Sequence, residues 1–388
     1  MRLLRLRPRN DDEPRHSDDG ANHNYKIENH CNFSDLFYNN AMKDEPKDLK
    51  EAVLYQPLDD KKVRCNLCNW RCVISDGSLG HCRVRKNIGG KLYSLNYHKL
   101  CSANPDPIEK KPLFHFQPGS KSFSIATPGC NFQCVFCQNW QISQQAIEEG
   151  EIDGQALEPA GIVEFALKTD CRSMAYTYTE PTVFMELAAD CAKIAKQKGL
   201  ANVFVSNGFM TKEAIDFAAG WLDGINVDLK SFSEDYYQNL CKAKLKPVLD
   251  TIDYIANHTK IWIEVTTLVV PGANDSDLEL KQIAEFLVKT CGADIPWHVS
   301  RFYPQYKYSD TPPTPASTLQ RAFDIAKAAG LRYVYIGNLR TQKAENTYCP
   351  KCQHLLIERE GFYVAKNKIK NSCCPDCNEK IPGFELNS

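Results

Sequence analysis

The chain has 388 residues, a length typical of roughly two or three domains and sufficient for a large buried core. Its 47 Lys and Arg residues balance 48 Asp and Glu residues, and the net charge of −1 excludes a protein that binds polyanions through bulk charge. No apolar run is long enough for a transmembrane helix, and the N-terminus lacks the apolar segment of a secretory signal, so we expect neither membrane association nor export.

The composition changes several times along the chain. Residues 1–50 are polar and charged without sustained periodicity, which predicts a disordered arm. Residues 51–121 combine Gly-rich turns, short apolar runs and a first group of cysteines, which is typical of a small subdomain stapled by metal. Residues 122–340 alternate β-branched or aromatic runs with amphipathic segments. Residues 345–388 carry two cysteine pairs, which predict a zinc-ribbon-like knuckle.

The alternating segments of residues 122–340 predict an α/β fold. Strands that alternate with helices form parallel βα units, and about seven of them fit a partial or full TIM-type (βα) barrel, with a doubly wound open sheet as the alternative. In both architectures the chemistry lies at the carboxyl ends of the strands. The predicted strands are 122–127, 174–179, 202–207, 225–230, 261–270, 297–302 and 333–337. The predicted helices lie near 155–169, 182–198, 211–219, 245–258, 275–290 and 317–329, with Gly199 and Gly330 at positions of C-terminal caps.

Cysteine is unusually frequent, with 18 residues, most of them in three clusters. Because nothing points to export, we expect a reducing, cytoplasmic location, where clustered cysteines bind metal more often than they form disulfides. The central cluster, TPGCNFQCVFCQNW, places Cys130, Cys134 and Cys137 directly after the first barrel strand. Three thiolates on a [4Fe–4S] cluster leave one iron open to a substrate or cofactor. Buried thiols, or a zinc site with a fourth ligand elsewhere, are the alternatives.

This motif resembles that of the radical S-adenosylmethionine (SAM) superfamily. The PIEKKPLFHF block and the two flanking cysteine clusters are more narrowly similar to the radical SAM enzymes of the AmmeMemoRadiSam system, over roughly residues 60–388. The segments that resemble the related pyruvate formate-lyase activating branch are PIEKKPLFHFQPGS (107–120), PGCNFQCVFCQNWQIS (128–143), YTYTEPT (176–182), SNG (206–208), VDLK (227–230) and VVPGAND (269–275).

The resemblance implies a reaction. SAM chelates the open iron, and one electron from the reduced cluster cleaves it to methionine and a 5′-deoxyadenosyl radical, which abstracts hydrogen from the substrate. The expected partners are a one-electron reductant of the flavodoxin or ferredoxin type and an unidentified protein or small-molecule substrate. Hydrogen abstraction from a glycine, as in glycyl-radical activators, is one version. An RNA-modifying radical enzyme and a zinc-dependent interaction scaffold are the alternatives, and the balanced charge disfavours nucleic acid.

The resemblance also indicates which side chains contact SAM. Glu180 matches the acid of a Gly-Gly-Glu-Pro-like motif, and its carboxylate is expected to accept hydrogen bonds from the SAM ammonium group. A carboxylate that stabilises a helix N-terminus is the alternative. Ser206 and Asn207 are expected to reach the SAM carboxylate or ribose, with an Asn-Gly turn as the alternative. The acid that helps bind a cation near SAM in the activators is replaced by Val205, which puts that cation site in doubt.

Asp228 and Lys230 end the fourth predicted strand and lie on the same face of it, because side chains alternate along a strand. This spacing predicts an inward ion pair or a substrate contact, and a structural salt bridge at the rim is the alternative.

The flanking clusters each offer four thiolates. The N-terminal set suits a closed zinc site or a second iron–sulfur cluster, with unligated thiols as a third alternative, and comprises Cys65, Cys68, Cys72 and Cys82. The C-terminal set has the spacing of a zinc ribbon, with rubredoxin-like iron as an alternative, and comprises Cys349, Cys352, Cys374 and Cys377. The single cysteines, Cys241 among them, are expected to be small buried side chains without chemistry.

Overall fold

The computed structural model of the chain describes residues 49–150, 152–339 and 344–387. The predicted disordered arm lies outside the described residues except for its last two positions. Among the residues that are described, no helix is long and apolar enough to cross a membrane.

The Cys-rich N-terminal subdomain consists of two small antiparallel sheets. Its strands are β1 (Lys50–Glu51), β2 (Tyr55–Pro57), β3 (Val63–Cys65), β4 (Val73–Ile74), β5 (Arg85–Ile88) and β6 (Lys91–Ser94). One sheet has the order β1-β6-β5 and the other has the order β2-β3-β4. The strands are only two to four residues long. Their inward side chains, such as Val63 and Leu92, are fully buried and belong to the main hydrophobic core.

An eight-stranded sheet forms the centre of the molecule. Its strands are β7 (Ser102–Pro107), β8 (Lys121–Ala126), β9 (Cys171–Tyr176), β10 (Ala201–Ser206), β11 (Gly224–Asp228), β12 (Trp262–Val269), β13 (Trp297–Arg301) and β14 (Val334–Gly337). They follow one another across the sheet in chain order. Strands β8 to β14 are parallel, and β7 runs antiparallel to β8. Most of their residues are buried, as expected for parallel strands covered on both faces.

The order of the strands across the sheet, which is their order along the chain, decides between the two predicted architectures. A doubly wound sheet reverses its strand order at a switch point, and this sheet does not. The α/β prediction is therefore confirmed, and the doubly wound alternative is wrong. Strands β7 and β14 are the two edges, so the sheet is open within the described ranges and these strands do not close a full barrel.

Helices connect the parallel strands. Ser276 is the N-cap of the helix Asp277–Cys291, and its hydroxyl accepts a hydrogen bond from Glu279 N at 3.2 Å. Gly199 and Gly330 follow the helices Met185–Gln197 and Ala316–Ala328 with φ of 77° and 104°, as predicted for C-terminal caps. The helices are α1 (Trp140–Ser143), α2 (Gln145–Glu148), α3 (Pro159–Lys168), α4 (Met185–Gln197), α5 (Lys212–Ala218), α6 (Glu234–Tyr236), α7 (Leu245–His258), α8 (Asp277–Cys291) and α9 (Ala316–Ala328), with 3-10 turns at Ile108–Lys110 and Pro181–Phe184 and a π-helical turn at Tyr237–Cys241.

Three strands differ from the sequence-based expectation. Strand β11 ends at Asp228, two residues before the end of the predicted range 225–230, so Lys230 follows the strand and does not lie on its face. Strand β9 begins and ends three residues before the predicted range 174–179, because Tyr178 has a left-handed φ of 68°, which a strand does not accommodate. Strand β7 contains Pro105 and Pro107, which argue against a strand in the interior of a sheet. Proline is tolerated at an edge, and β7 is an edge strand.

The C-terminal knuckle packs at the amino-terminal ends of the parallel strands. It contains β15 (Thr347–Tyr348), β16 (Leu355–Glu360) and β17 (Tyr363–Asn367) in one antiparallel sheet. Residues 107–120, which contain the PIEKKPLFHF block, precede β8 and lie between the knuckle and the sheet. Within this segment, Phe116 stacks on Phe384 with ring centroids 4.4 Å apart. Phe114 O accepts a hydrogen bond from Arg359 Nη2 at 2.7 Å.

Candidate functional site

The loop after β8 carries Cys130, Cys134 and Cys137 at the carboxyl end of the sheet. It lies directly against the N-terminal subdomain at Gly129. This glycine has φ of 107°, and a Cβ added to it would lie 2.6 Å from Val84 Cγ1. Only glycine fits this backbone conformation and this close approach, so the Pro-Gly-Cys sequence determines how the thiol-bearing loop meets the subdomain.

Asn207, which follows β10, connects the cysteine loop to Glu180. Its side-chain Nδ2 donates to Asn131 Oδ1 at 2.7 Å and lies 3.8 Å from Cys130 Sγ. Its backbone N donates to Glu180 Oε2 at 2.8 Å. Asn131 Nδ2 is buried and has no hydrogen-bond partner within the described part of the chain. An unused donor next to the Cys130 thiol fits an acceptor at this position, such as a cluster sulfur or a polar group of a cofactor.

Glu180 is almost completely buried and is held by its neighbours. Its Oε1 accepts hydrogen bonds from Thr182 N at 3.1 Å, Thr182 Oγ1 at 2.5 Å and Ser206 Oγ at 2.8 Å. Burial raises the pKa of Glu180, and these hydrogen bonds oppose that rise. Glu180 caps the 3-10 turn Pro181–Phe184, as the structural alternative expected. Oε2 accepts only from Asn207 N among these contacts, so it retains an acceptor position for a cation such as an ammonium group.

Asp228 and Lys230 form the expected ion pair, with Lys230 Nζ 2.8 Å from Asp228 Oδ2. Burial would lower the pKa of Lys230, but the Asp228 carboxylate and the Cys134 thiol outweigh burial and raise it. The positive charge of Lys230 in turn contributes to lowering the pKa of Cys134. The pair therefore lies next to the thiol-bearing loop.

Cys241 is close to Cys134, although its isolated position along the chain offered no reason to expect a role. The neighbouring Cys241 thiol is the main cause that lowers the pKa of Cys134. Backbone contacts place them together, since Gln133 N donates to Cys241 O at 3.0 Å and Val135 N donates to Leu240 O at 2.9 Å. Cys241 ends the π-helical turn, an irregularity that is frequent at functional sites and has no reliable sequence signal.

The four cysteines of the C-terminal knuckle converge on one point. Their sulfur atoms all lie within 4.8 Å of one another. Cys349 Sγ is 3.5 Å from Cys377 Sγ, and Cys352 Sγ is 3.6 Å from Cys374 Sγ. A tetrahedral zinc site with Zn–S bonds of about 2.3 Å holds its sulfurs about 3.8 Å apart. The donor set therefore fits a single ion of this size.

The four cysteines of the N-terminal subdomain lie around one cleft. The same cleft is lined by His81, Arg85, Thr182 and Val183. These sulfurs do not converge like those of the knuckle, because within the described ranges no other group of three or more His, Cys, Asp or Glu ligand atoms lies within 4.8 Å. The cysteines at the cleft are Cys65, Cys68, Cys72 and Cys82.

Comparisons with known proteins identify a family whose sequence pattern includes the cysteine loop. The sequence profile of the radical SAM superfamily matches residues 124–286. The chain is 46% identical over 335 residues to an uncharacterized protein of Methanocaldococcus jannaschii, and the match covers 86% of this chain and 99% of that protein. A second protein of this organism, named as a candidate glycyl-radical enzyme activating enzyme, is 28% identical over 186 residues, which cover 47% of this chain and 68% of that protein.

A solved structure of a domain of pyruvate-formate lyase-activating enzyme from Bacteroides vulgatus ATCC 8482 is similar at 20% identity, with a TM-score of 0.38, and the match covers 43% of this chain and 99% of that one. A TM-score of this size adds nothing to the assignment, which rests on the sequence profile and on the extent of the 46% identical match. The chain belongs to the radical SAM superfamily, whose domain implies SAM and an iron–sulfur cluster as cofactors.

Proposed function

We propose that the protein holds a [4Fe–4S] cluster on Cys130, Cys134 and Cys137, binds SAM at the adjoining strand ends and abstracts hydrogen from a substrate. The observation that carries this proposal is the position of Asn207, which touches the Cys130 thiol with its side chain and the Glu180 carboxylate with its backbone. When bound, the reduced cluster supplies the electron that cleaves SAM to methionine and a 5′-deoxyadenosyl radical.

Glu180 and its neighbours orient SAM in this proposal. The carboxylate accepts a charge-assisted hydrogen bond from the SAM ammonium group on Oε2, while Thr182 and Ser206 hold Oε1 in place. Because Glu180 is buried, it makes this contact in a medium where electrostatic interactions are stronger than in water. Asn207 and Ser206 reach the polar groups of SAM next to Cys130.

Asp228 and Lys230 act beside Cys134 as a fixed pair of charges. Lys230 places a positive charge next to the thiolate ligands, which stabilises their ionised form. Asp228 keeps Lys230 in position through the 2.8 Å ion pair. The Cys241 thiol, in the connection between β11 and β12, lies close to Cys134 and lowers its pKa.

We further propose the hydrogen donor, the reductant, the metal of the knuckle and the cellular location. The similarity to a candidate glycyl-radical activator supports a backbone glycine as the hydrogen donor, and a flavodoxin- or ferredoxin-type protein as the reductant. The narrow sulfur geometry of the knuckle supports zinc there. Unpaired thiols throughout the described residues suit a reducing compartment, so we place the protein in the cytoplasm.

Anaerobic SAM cleavage tests the proposal. The full chain, reconstituted with iron and sulfide, is mixed with SAM and dithionite, and 5′-deoxyadenosine is measured by chromatography. We expect it to form in proportion to cluster content. Protein that contains its full complement of iron and produces no 5′-deoxyadenosine above the dithionite control would contradict the proposal. A glycine-derived radical signal on a co-purifying protein, detected by electron paramagnetic resonance, tests the glycine version separately.

A further inference from the structure

We infer that the N-terminal set of Cys65, Cys68, Cys72 and Cys82 binds a second [4Fe–4S] cluster rather than zinc, against the wall of the proposed SAM site. The sequence leaves the metal open, because four thiolates satisfy either group. The geometry of the sulfur atoms distinguishes the two.

The knuckle provides an internal standard for a single-ion site. Its four sulfurs lie within 4.8 Å of one another, with pairs at 3.5 and 3.6 Å. No three sulfurs of the N-terminal set meet this limit, although all four border the same cleft. A cubane of four irons and four sulfides holds its thiolates further apart than one zinc ion does. The thiols of the loop at Cys130 are spread in the same way, because they too form no group within 4.8 Å.

The cleft also offers unused hydrogen-bond donors. Arg85 is almost completely buried and lines the cleft, and its Nε and Nη1 atoms have no hydrogen-bond partner within the described residues. Its Nη2 is already engaged with Glu186. The backbone N of His81 donates to Cys72 Sγ at 3.4 Å. Buried donors without partners are costly. A cluster adds sulfide acceptors to the thiolate acceptors that a zinc site would also have, and so offers more acceptors for these donors.

The cleft shares its wall with the proposed SAM site. Thr182 and Val183 line the cleft, and Thr182 donates both of its hydrogen bonds to Glu180. On the other side, Trp70 Nε1 donates to the backbone oxygen of Asn131 at 2.8 Å, and the Trp70 ring lies 4.3 Å from that of His81. One layer of side chains therefore separates the N-terminal cysteines from the Cys130 loop. The cleft therefore lies at the carboxyl-terminal end of the parallel strands, where βα folds place their chemistry.

Metal analysis of the full chain tests this inference. After anaerobic reconstitution, we expect about eight irons per chain and matching sulfide, from two [4Fe–4S] clusters, with zinc confined to the knuckle. The triple variant Cys130→Ala, Cys134→Ala, Cys137→Ala should keep about four irons and the visible absorbance of a cluster. Adding Cys68→Ala and Cys82→Ala to the triple variant should remove the remaining iron. Cys291→Ser, which changes an isolated cysteine, should keep the full iron content.

The outcomes separate this inference from the proposed function. If the wild-type chain held only about four irons, whether with one zinc ion or with two, the second cluster would be contradicted. This outcome does not depend on any variant. A triple variant that folds, as judged by its knuckle zinc and circular dichroism, but retains no iron would overturn it as well. Two clusters without SAM cleavage would instead contradict the function proposed for the Cys130 loop and leave the second cluster standing.

Discussion

The two four-cysteine sets lie at opposite ends of the sheet. The C-terminal set packs on residues 107–120, which precede the parallel strands, and has its own small apolar core around Leu356 and Ile357. The N-terminal set belongs to the main core and borders the cysteine loop that follows β8. In barrels of βα units the amino-terminal face serves stability and the carboxyl-terminal face serves chemistry. The two sets have the same number of cysteines, but among the described residues only the C-terminal set brings all four sulfurs within 4.8 Å of one another.

The largest effect is expected from the cysteine loop. Replacing Cys134 by Ser should reduce SAM cleavage to the dithionite background, because two remaining thiolates do not hold the site-differentiated cluster. The measurement is 5′-deoxyadenosine per chain, with Cys291→Ser as the matched control. A wild-type rate of SAM cleavage in the Cys134 variant would show that this loop does not hold the catalytic cluster.

The second largest effect, on the free energy of unfolding, is expected where the N-terminal subdomain contacts the core. Arg85 and Glu186 form a buried ion pair with Nη2 2.6 Å from Oε2. Arg85→Met leaves the Glu186 carboxylate buried without its partner, so the free energy of unfolding should fall by about 3–5 kcal/mol. Urea unfolding checks this value.

The matched control for that variant is Arg71→Met. Arg71 pairs with Glu213 at 2.8 Å on the surface, where both side chains are about half exposed. A solvent-exposed pair of this kind contributes about 0–1 kcal/mol. Equal losses for Arg71 and Arg85 would show that the subdomain is not anchored through the buried pair.

An intermediate effect is expected for SAM affinity. Glu180→Gln removes the charge that faces the SAM ammonium group, so the Kd for SAM should rise on the order of ten- to a hundred-fold, or about 1.5–3 kcal/mol. Isothermal titration with the reconstituted protein measures this change. Iron content should be unchanged, since Glu180 is not a ligand in the proposal, and Glu213→Gln serves as an exposed control.

The same side chain predicts a pH dependence. Burial raises the pKa of Glu180, and only its ionised form carries the negative charge that pairs with the ammonium group. SAM affinity should therefore weaken, as pH falls, at a higher pH than it would with an ordinary glutamate. Glu180→Gln should lack this pH dependence, and a wild-type affinity that stays constant down to the normal range of a glutamate pKa would contradict the assignment.

The smallest effect on SAM cleavage is expected from the knuckle. Cys352→Ser should lose about one zinc ion per chain and make residues 345–388 more sensitive to proteolysis, because the metal closes a very small core. SAM cleavage should stay within about twofold of wild type, since the knuckle lies at the other end of the sheet. Loss of SAM cleavage in a variant that keeps its iron would show that the knuckle takes part in the reaction and is not purely structural.

Much of the fold follows from local patterns. The seven parallel strands and the connecting helices produce periodicities that are readable in a window of about ten residues. Strand β7 was not predicted, because prolines at an edge resemble a loop in the sequence. The π-helical turn that brings Cys241 to Cys134 was not predicted either, because its backbone depends on contacts with the cysteine loop.

The sequence by itself determined the α/β class, the three groups of cysteines and the acid, amide and lysine positions at the strand ends. These features depend on residue type and spacing, which the chain carries locally. Only the tertiary structure decided that the sheet is open within the described ranges, that Asn207 joins Cys130 to Glu180, and that the four knuckle sulfurs lie within 4.8 Å of one another. Distances between sulfurs of separate turns depend on how remote segments pack, such as Val84 on Gly129 and Thr182 on the N-terminal cleft, and spacing along the chain does not encode that packing.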